Sequence, residues 1–112
     1  MTSKEQLLAS VLNIVEVLEG TEPLTEDAEQ LDEGYDISDW VGDSALDIVY
    51  RVDSSGRYRG VEITVAIGGP TIWISAPRQL VHGVWGSDRY HRSYDDRVGL
   101  GDFMAEMWEC AK

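Results

Sequence analysis

The sequence predicts an α+β domain in which a meander of about four antiparallel strands packs against an N-terminal and a C-terminal helix. Apolar residues alternate between residues 45 and 94, with turn residues at intervals, which is typical of successive antiparallel strands. Apolar residues recur at three- and four-residue spacing near both ends of the chain, and no helical pattern separates one predicted strand from the next. A length of 112 residues fits a single domain.

The first predicted element is a helix over residues 3–19. Ser3 is a suitable N-cap, and Gln6 three residues later completes a capping-box pattern. Gly20 is a suitable C-cap. The wide apolar stripe contains Leu7, Leu8, Val11, Leu12, Ile14, Val15 and Leu18. Such a stripe favours packing on the protein's own sheet, and a helix that mediates dimerisation is the alternative.

Residues 21–44 are interpreted as an acidic arm that lies against the fold. Residues 24–31 are predicted to form a short helix capped by Thr25, and residues 38–41 a single helical turn. A disordered acidic tail would lack apolar anchors. This segment contains four of them, namely Tyr35, Ile37, Trp40 and Val41.

The predicted strands cover residues 46–52, 58–67, 71–75 and 80–85, with a short edge segment at 90–94 and a closing helix over residues 100–111. The core face of the second strand is assigned to Val61, Ile63, Val65 and Ile67. Trp73 projects from the face opposite Ile72 and Ile74. If helices cover only one face, Trp73, Tyr90 and Tyr94 are expected on an open surface; if both faces are covered, they belong to the core.

The charge of the chain is unevenly distributed. The net charge is −12; residues 5–50 contain thirteen acids and no Lys or Arg, whereas residues 51–112 contain eight acids and eight bases. Such an excess repels nucleic acid and anionic membranes and favours basic partners. We therefore expect neither direct nucleic-acid binding nor membrane binding.

No catalytic residue, metal site or cofactor is predicted. His82, His91 and Cys110 lack zinc-type spacing, and neither an EF-hand loop nor a nucleophile elbow is present. Asp47 and Glu62 are candidates to face each other across neighbouring strands, although an exposed charged sheet face explains them as well. The single cysteine excludes an internal disulfide, and no secretory leader is recognised, so a cytoplasmic location is expected.

Three stretches carry a resemblance to known proteins: ALDIVYRV, YRGVEITVAIGGPTIWI and GVWGSDRYHRSYDD. Together they cover roughly residues 45–96, and they resemble small acidic uncharacterised proteins of bacterial mobile elements and phages. Small acidic proteins of such elements often inhibit host defence, as anti-CRISPR and antirestriction proteins do. The resemblance implies an inhibitor by analogy of size, charge and setting, and it supplies no catalytic residue.

The function predicted from these observations is non-enzymatic binding to a basic protein surface, with a nucleic-acid-binding protein of host defence as the target class. Duplex DNA carries one charge per ~1.7 Å of axis, which a row of carboxylates can imitate. The residues assigned to partner binding are Glu26, Asp27, Glu29, Asp32, Glu33, Asp36, Asp39, Asp43 and, as an apolar anchor, Trp40. The alternatives are a structural homodimer or assembly subunit, joined through a strand edge or the first helix, and a small enzyme that uses His82, His91 or an acid pair.

Overall fold

The computed structural model describes residues 3–111, and of Ser3 it describes the backbone alone. The sheet contains β1 (Asp47–Val52), β2 (Tyr58–Ala66), β3 (Thr71–Ala76), β4 (Leu80–Trp85) and β5 (Asp88–Ser93), all antiparallel and adjacent in chain order. The helices are α1 (Ser3–Leu18), α2 (Ala28–Asp32), α3 (Ile37–Ser44) and α4 (Leu100–Ala111). The α+β class and the meander are confirmed. The strand count is five rather than four, because residues 88–93 form a full strand where a short edge segment was expected.

The helices pack on one face of this sheet. Leu7 and Val11 of α1 lie over Gly83 of β4, and Trp108 of α4 packs on Tyr50 and Tyr58, with ring centroids 5.3 and 6.4 Å away. The core between the layers is apolar; its fully buried side chains are Leu7, Val11, Leu18, Val61, Ile63, Ile74, Val81, Leu100 and Met104. One sheet face is therefore covered, as predicted for the two terminal helices.

A bulge in β2 changes which residues face the core. Ile63 pairs with Ile74 and Thr64 with Trp73, but the next pair joins Ala66 to Ile72, which leaves Val65 as an extra residue. An extra residue in one strand shifts the alternation of all later side chains. The assignment of Ile67 to the core face is therefore wrong, and its side chain is 64 % exposed.

The acidic segment folds differently from its prediction. The helix expected over residues 24–31 begins at Ala28, with Asp27 as N-cap. Thr25 lies before the cap: its Oγ1 accepts from the Asp27 N–H over 3.2 Å, and its hydroxyl donates to Gln30 Oε1 over 2.8 Å. The single turn expected over residues 38–41 is the two-turn helix α3. The predicted cap at the N-terminus of α1 depends on the Ser3 side chain, which lies outside the described residues.

Between residues 3 and 111, the structure contains no helix that is both long and apolar enough to cross a bilayer. The thiol of Cys110 is free and exposed near the end of α4.

Candidate functional site

The eight carboxylate residues predicted to bind a partner are all exposed. They lie on α2, on α3 and in the loops beside them, and together we call them the acidic surface: Glu26, Asp27, Glu29, Asp32, Glu33, Asp36, Asp39 and Asp43. The structure therefore brings the predicted carboxylates into one segment of the surface.

Trp40 is the exception among the predicted binding residues. Its side chain is only 6 % exposed and belongs to the hydrophobic core, together with Val41. Both residues lie on the inner side of α3, whose amphipathic pattern places them together. The assignment of Trp40 as an anchor for a partner is therefore wrong, because this side chain anchors the acidic segment to its own fold.

Local hydrogen bonds hold the acidic surface in an ordered conformation. The Asp36 carboxylate accepts from the backbone N–H groups of Ser38 and Asp39, at 3.0 and 3.3 Å, while the Asp39 carboxylate accepts from the Asp36 N–H at 3.0 Å. This reciprocal capping box begins α3. Hydrogen bonds from Ser38 and then from the Asp39 backbone hold the pKa of Asp36 below its usual value. Asp36 therefore keeps its negative charge at neutral pH while it stabilises the helix.

A small acidic cleft opens between α2 and α3. Its volume is about 310 Å³, and its lining residues are Gln30, Glu33, Tyr35, Asp39 and Asp43. The Tyr35 hydroxyl donates to Asp43 Oδ2 over 2.7 Å. Burial, reinforced by this hydrogen bond, raises the pKa of Tyr35 to about 12. With three carboxylates and no cation among its lining residues, the cleft suits a Lys or Arg side chain of another molecule.

A larger groove lies beside this cleft, between α1 and the acidic segment. It has a volume of about 460 Å³. Apolar side chains, among them Ile14, Leu24 and Leu46, line it together with Glu26 and Asp43. Sites of this kind combine an apolar floor with a few polar groups that orient the bound molecule.

Within residues 3–111, no ion pair neutralises a carboxylate of the acidic surface. The structure shows three ion pairs among the described residues, Arg51–Glu62, Arg59–Asp53 and Arg97–Asp95, and none involves this surface. Ordinary protein surfaces intersperse charges of both signs. The field of these eight carboxylates is therefore directed at solvent and at whatever binds there.

The second sheet face carries a row of three rings in register across β3, β4 and β5. Trp73 is paired with His82 and His82 with His91. The ring centroids of Trp73 and His82 are 5.1 Å apart and their planes differ by 11°; those of the two histidines are 6.0 Å apart. Burial, followed by the charges of His91 and Arg78, lowers the pKa of His82.

This face is open, but it holds fewer aromatics than expected. Tyr94 is buried in the core, and Tyr90 is paired with Gly83 on the face that α1 covers. The cross-strand histidine pair was missed from the sequence. His82 and His91 are equally distant from the turn at Gly86 and Ser87, and this symmetry would have predicted their pairing.

The structure corrects the proposed acid pair on this face. Asp47 is opposite Thr64, whereas Glu62 is opposite Val49. Arg51 forms an ion pair with Glu62, so Glu62 is partnered by a base rather than by a second acid. Within residues 3–111, no three or more His, Cys, Asp or Glu side chains cluster as metal ligands would.

Comparison with known proteins found no matching family model, no similar curated protein and no similar solved structure.

Proposed function

We propose that this protein is a non-enzymatic binding protein whose acidic surface occupies a basic surface of another protein. The observation that carries the proposal is the exposure of eight carboxylates on folded elements with no described ion pair among them. The target class we propose is a nucleic-acid-binding protein of host defence. Its basic groove normally takes up a polyanion, which a surface of fixed carboxylates imitates.

The fixed conformation of the acidic surface supports a binding function over the function of a tail that only keeps the protein soluble. A flexible acidic chain loses conformational entropy when it binds, and this loss weakens its affinity. Here Trp40 and Val41 fix α3 to the core and the capping box fixes its first turn. The charges of α3 are therefore in position before a partner arrives.

The cleft and the groove are concave sites at the acidic surface that could receive side chains of a partner. A basic side chain in the cleft would meet Glu33, Asp39 and Asp43, while an apolar neighbour would fill the groove beside Leu24. Interfaces gain affinity mainly from such buried anchors rather than from exposed charges alone. The proposed partner therefore combines a basic surface with an apolar side chain.

The test compares two charge-reversal variants with equal net charge. Glu29→Lys with Glu33→Lys changes the acidic surface, whereas Asp95→Lys with Glu106→Lys changes exposed acids elsewhere. Each tagged protein is used to capture proteins from a bacterial lysate, and the column is eluted with rising salt and, separately, with duplex DNA. We expect the wild type and the second variant to retain a nucleic-acid-binding protein that DNA displaces.

We expect the first variant to release that protein at lower salt, with little change in its own melting temperature. Equal retention by both variants would show that the acidic surface is not the contact. A captured protein that DNA fails to displace would exclude the imitation of a polyanion.

A further inference from the structure

The edge strand β1 exposes apolar side chains together with one acid and one base, Asp47 and Arg51. Val49 and Val52 are 51 % and 46 % exposed, and Leu46, immediately before the strand, is 59 % exposed. The sheet order places β1 at one edge, so among the described residues no strand pairs with its outer side. Proteins usually protect such edges with charges, bulges or covering elements, because an open edge pairs with other chains.

The opposite edge of the same sheet shows such protection. β5 has the sequence DRYHRS, and Arg89, His91 and Arg92 are exposed along it. Positive side chains at an edge repel a second copy of the same strand. The two edges therefore differ, and only β1 presents a surface suited to strand pairing.

The backbone of β1 has the geometry that pairing requires. The N–H of Asp53, immediately after β1, donates to the Arg57 carbonyl over 3.0 Å, so Asp53 directs its backbone groups toward β2. Alternate residues of an antiparallel strand direct these groups to opposite sides. The N–H and C=O groups of Arg51, Val49 and Asp47 consequently point toward β2, whereas those of Ile48 and Tyr50, on either side of Val49, point away from the sheet.

We propose that β1 pairs in antiparallel orientation with β1 of a second copy of this chain, in a register centred on Val49. In this register Asp47 faces Arg51 of the partner subunit, and the reciprocal pair forms on the other side of the two-fold axis. Val49 faces its own symmetry mate between the two charged pairs. The two five-stranded sheets then form one continuous sheet.

Charge complementarity selects both the occupant and the register. The stretch DIVYR runs from an acid through three apolar residues to a base, so it is complementary to itself when reversed. A register centred on Tyr50 would place Asp47 opposite Asp53 of the partner subunit, and one centred on Ile48 would leave Arg51 opposite Ala45 of the partner subunit. Opposite charges directly across a strand pair stabilise it, and like charges destabilise it.

The decisive experiment uses two single charge reversals. The Asp47→Arg variant places two bases opposite each other at both sites, and Arg51→Asp places two acids there. We expect each purified variant to be monomeric by sedimentation velocity at concentrations where the wild type sediments as two chains of 12.5 kDa. We expect an equal mixture of the two variants to form a heterodimer, because every Arg then faces an Asp.

Net charge alone predicts a different result. Asp47→Arg changes the net charge of each chain from −12 to −10, and Arg51→Asp changes it to −14. If general repulsion between the chains controlled assembly, the Asp47→Arg variant would dimerise more tightly than the wild type, because its net charge is smaller. Heterodimer formation in the mixture also shows that both variants are folded.

Two further variants complete the test. Val49→Lys is expected to abolish the dimer, since it places two cations on the two-fold axis. Glu62→Gln removes the internal partner of Arg51 and is expected to leave the dimer intact. A wild type that stays monomeric at every concentration overturns the proposal, and single variants that dimerise like the wild type overturn the register. Neither result bears on the acidic surface.

Discussion

Gly83 of β4 lies directly beneath Leu7 of α1: a β-carbon at residue 83 would stand 2.7 Å from Leu7 Cδ1 and 2.7 Å from Val11 Cγ2. The missing side chain allows α1 to approach the sheet closely. The same contact places α1 over β4 and β5, and α1 in turn forms one wall of the groove beside the acidic surface.

A side chain at Gly83 is expected to destabilise the fold. Gly83→Ala adds a methyl group to a packed contact, and overpacking of this kind costs about 1–3 kcal/mol. Denaturant unfolding followed by far-UV circular dichroism measures the change. The matched control is Gly42→Ala in α3, where nothing lies within 4 Å of the added carbon. This control should gain roughly 0.5–1 kcal/mol. Equal stability of Gly83→Ala and wild type would contradict the close packing.

The cap of α3 is expected to give a pH-dependent contribution to stability. Asp36→Ala removes the acceptor of the capping box, so the melting temperature should fall by a few degrees. The pKa of Asp36 is lower in the folded state than its usual 3.8. The wild-type advantage is therefore present above pH 3.8 and is lost as the pH falls through the lowered folded-state value.

Asp32→Ala is the control for this effect, because it removes an exposed carboxylate that caps no helix. It should leave the melting temperature nearly unchanged. A wild-type advantage over Asp36→Ala that is as large at pH 2 as at pH 5 would show that the carboxylate charge is not the cause.

His82 is expected to make the fold less stable in mild acid. Its pKa is lower in the folded protein than its usual 6.5, so the unfolded chain binds a proton more readily. Stability should therefore fall as the pH drops below 6.5 toward the folded-state pKa, and His82→Gln should reduce this loss. Melting temperatures of both proteins at pH 7 and pH 5 measure it.

His91→Gln gives a graded control, because the charge of His91 contributes to the lowered pKa of His82. We expect an intermediate loss of stability between pH 7 and pH 5. The charged groups Arg78 and Glu62 act on His82 in opposite directions and remain in both variants. Identical pH profiles for all three proteins would contradict the role of His82.

Mutual repulsion within the acidic surface is expected to make stability depend on salt. The Debye length shortens from ~30 Å at 0.01 M to about 10 Å at 0.1 M ionic strength, so added salt should raise the melting temperature. Glu29→Gln with Glu33→Gln should flatten this dependence more than Asp95→Asn with Glu106→Gln, although both pairs remove two charges. Equal slopes would indicate that only total charge matters.

Regular alternation allowed most of the sheet to be predicted from the sequence. It placed Ile63 and Ile74 in the core, and both are fully buried. It failed at Ile67, because the bulge at Val65 depends on how β3 pairs with β2 and no local pattern specifies that pairing. The strand at the β5 edge was underestimated, since its charged sequence lacks an apolar alternation.

The sequence indicated which acidic residues form the candidate site, but it did not indicate how the side chains of this segment are oriented. Clustered acids are visible in any sequence, and all eight carboxylates are exposed. The sequence does not determine whether the Trp40 side chain faces the core or the solvent, because an aromatic residue among acids suits both a partner contact and a core contact. In the structure, α3 is two turns long and directs Trp40 and Val41 together toward the core.

The two helices of the acidic surface differ in how firmly they are attached to the core. α3 buries Trp40 and Val41, whereas α2 has no buried residue. α2 contributes no side chain to the core, so its opening exposes little apolar area and should cost far less than global unfolding. Its amides are expected to exchange with solvent faster than those of α3. The acidic surface thus combines fixed charges on α3 with adjustable charges on α2, and under the proposed function it could fit basic surfaces of different spacing.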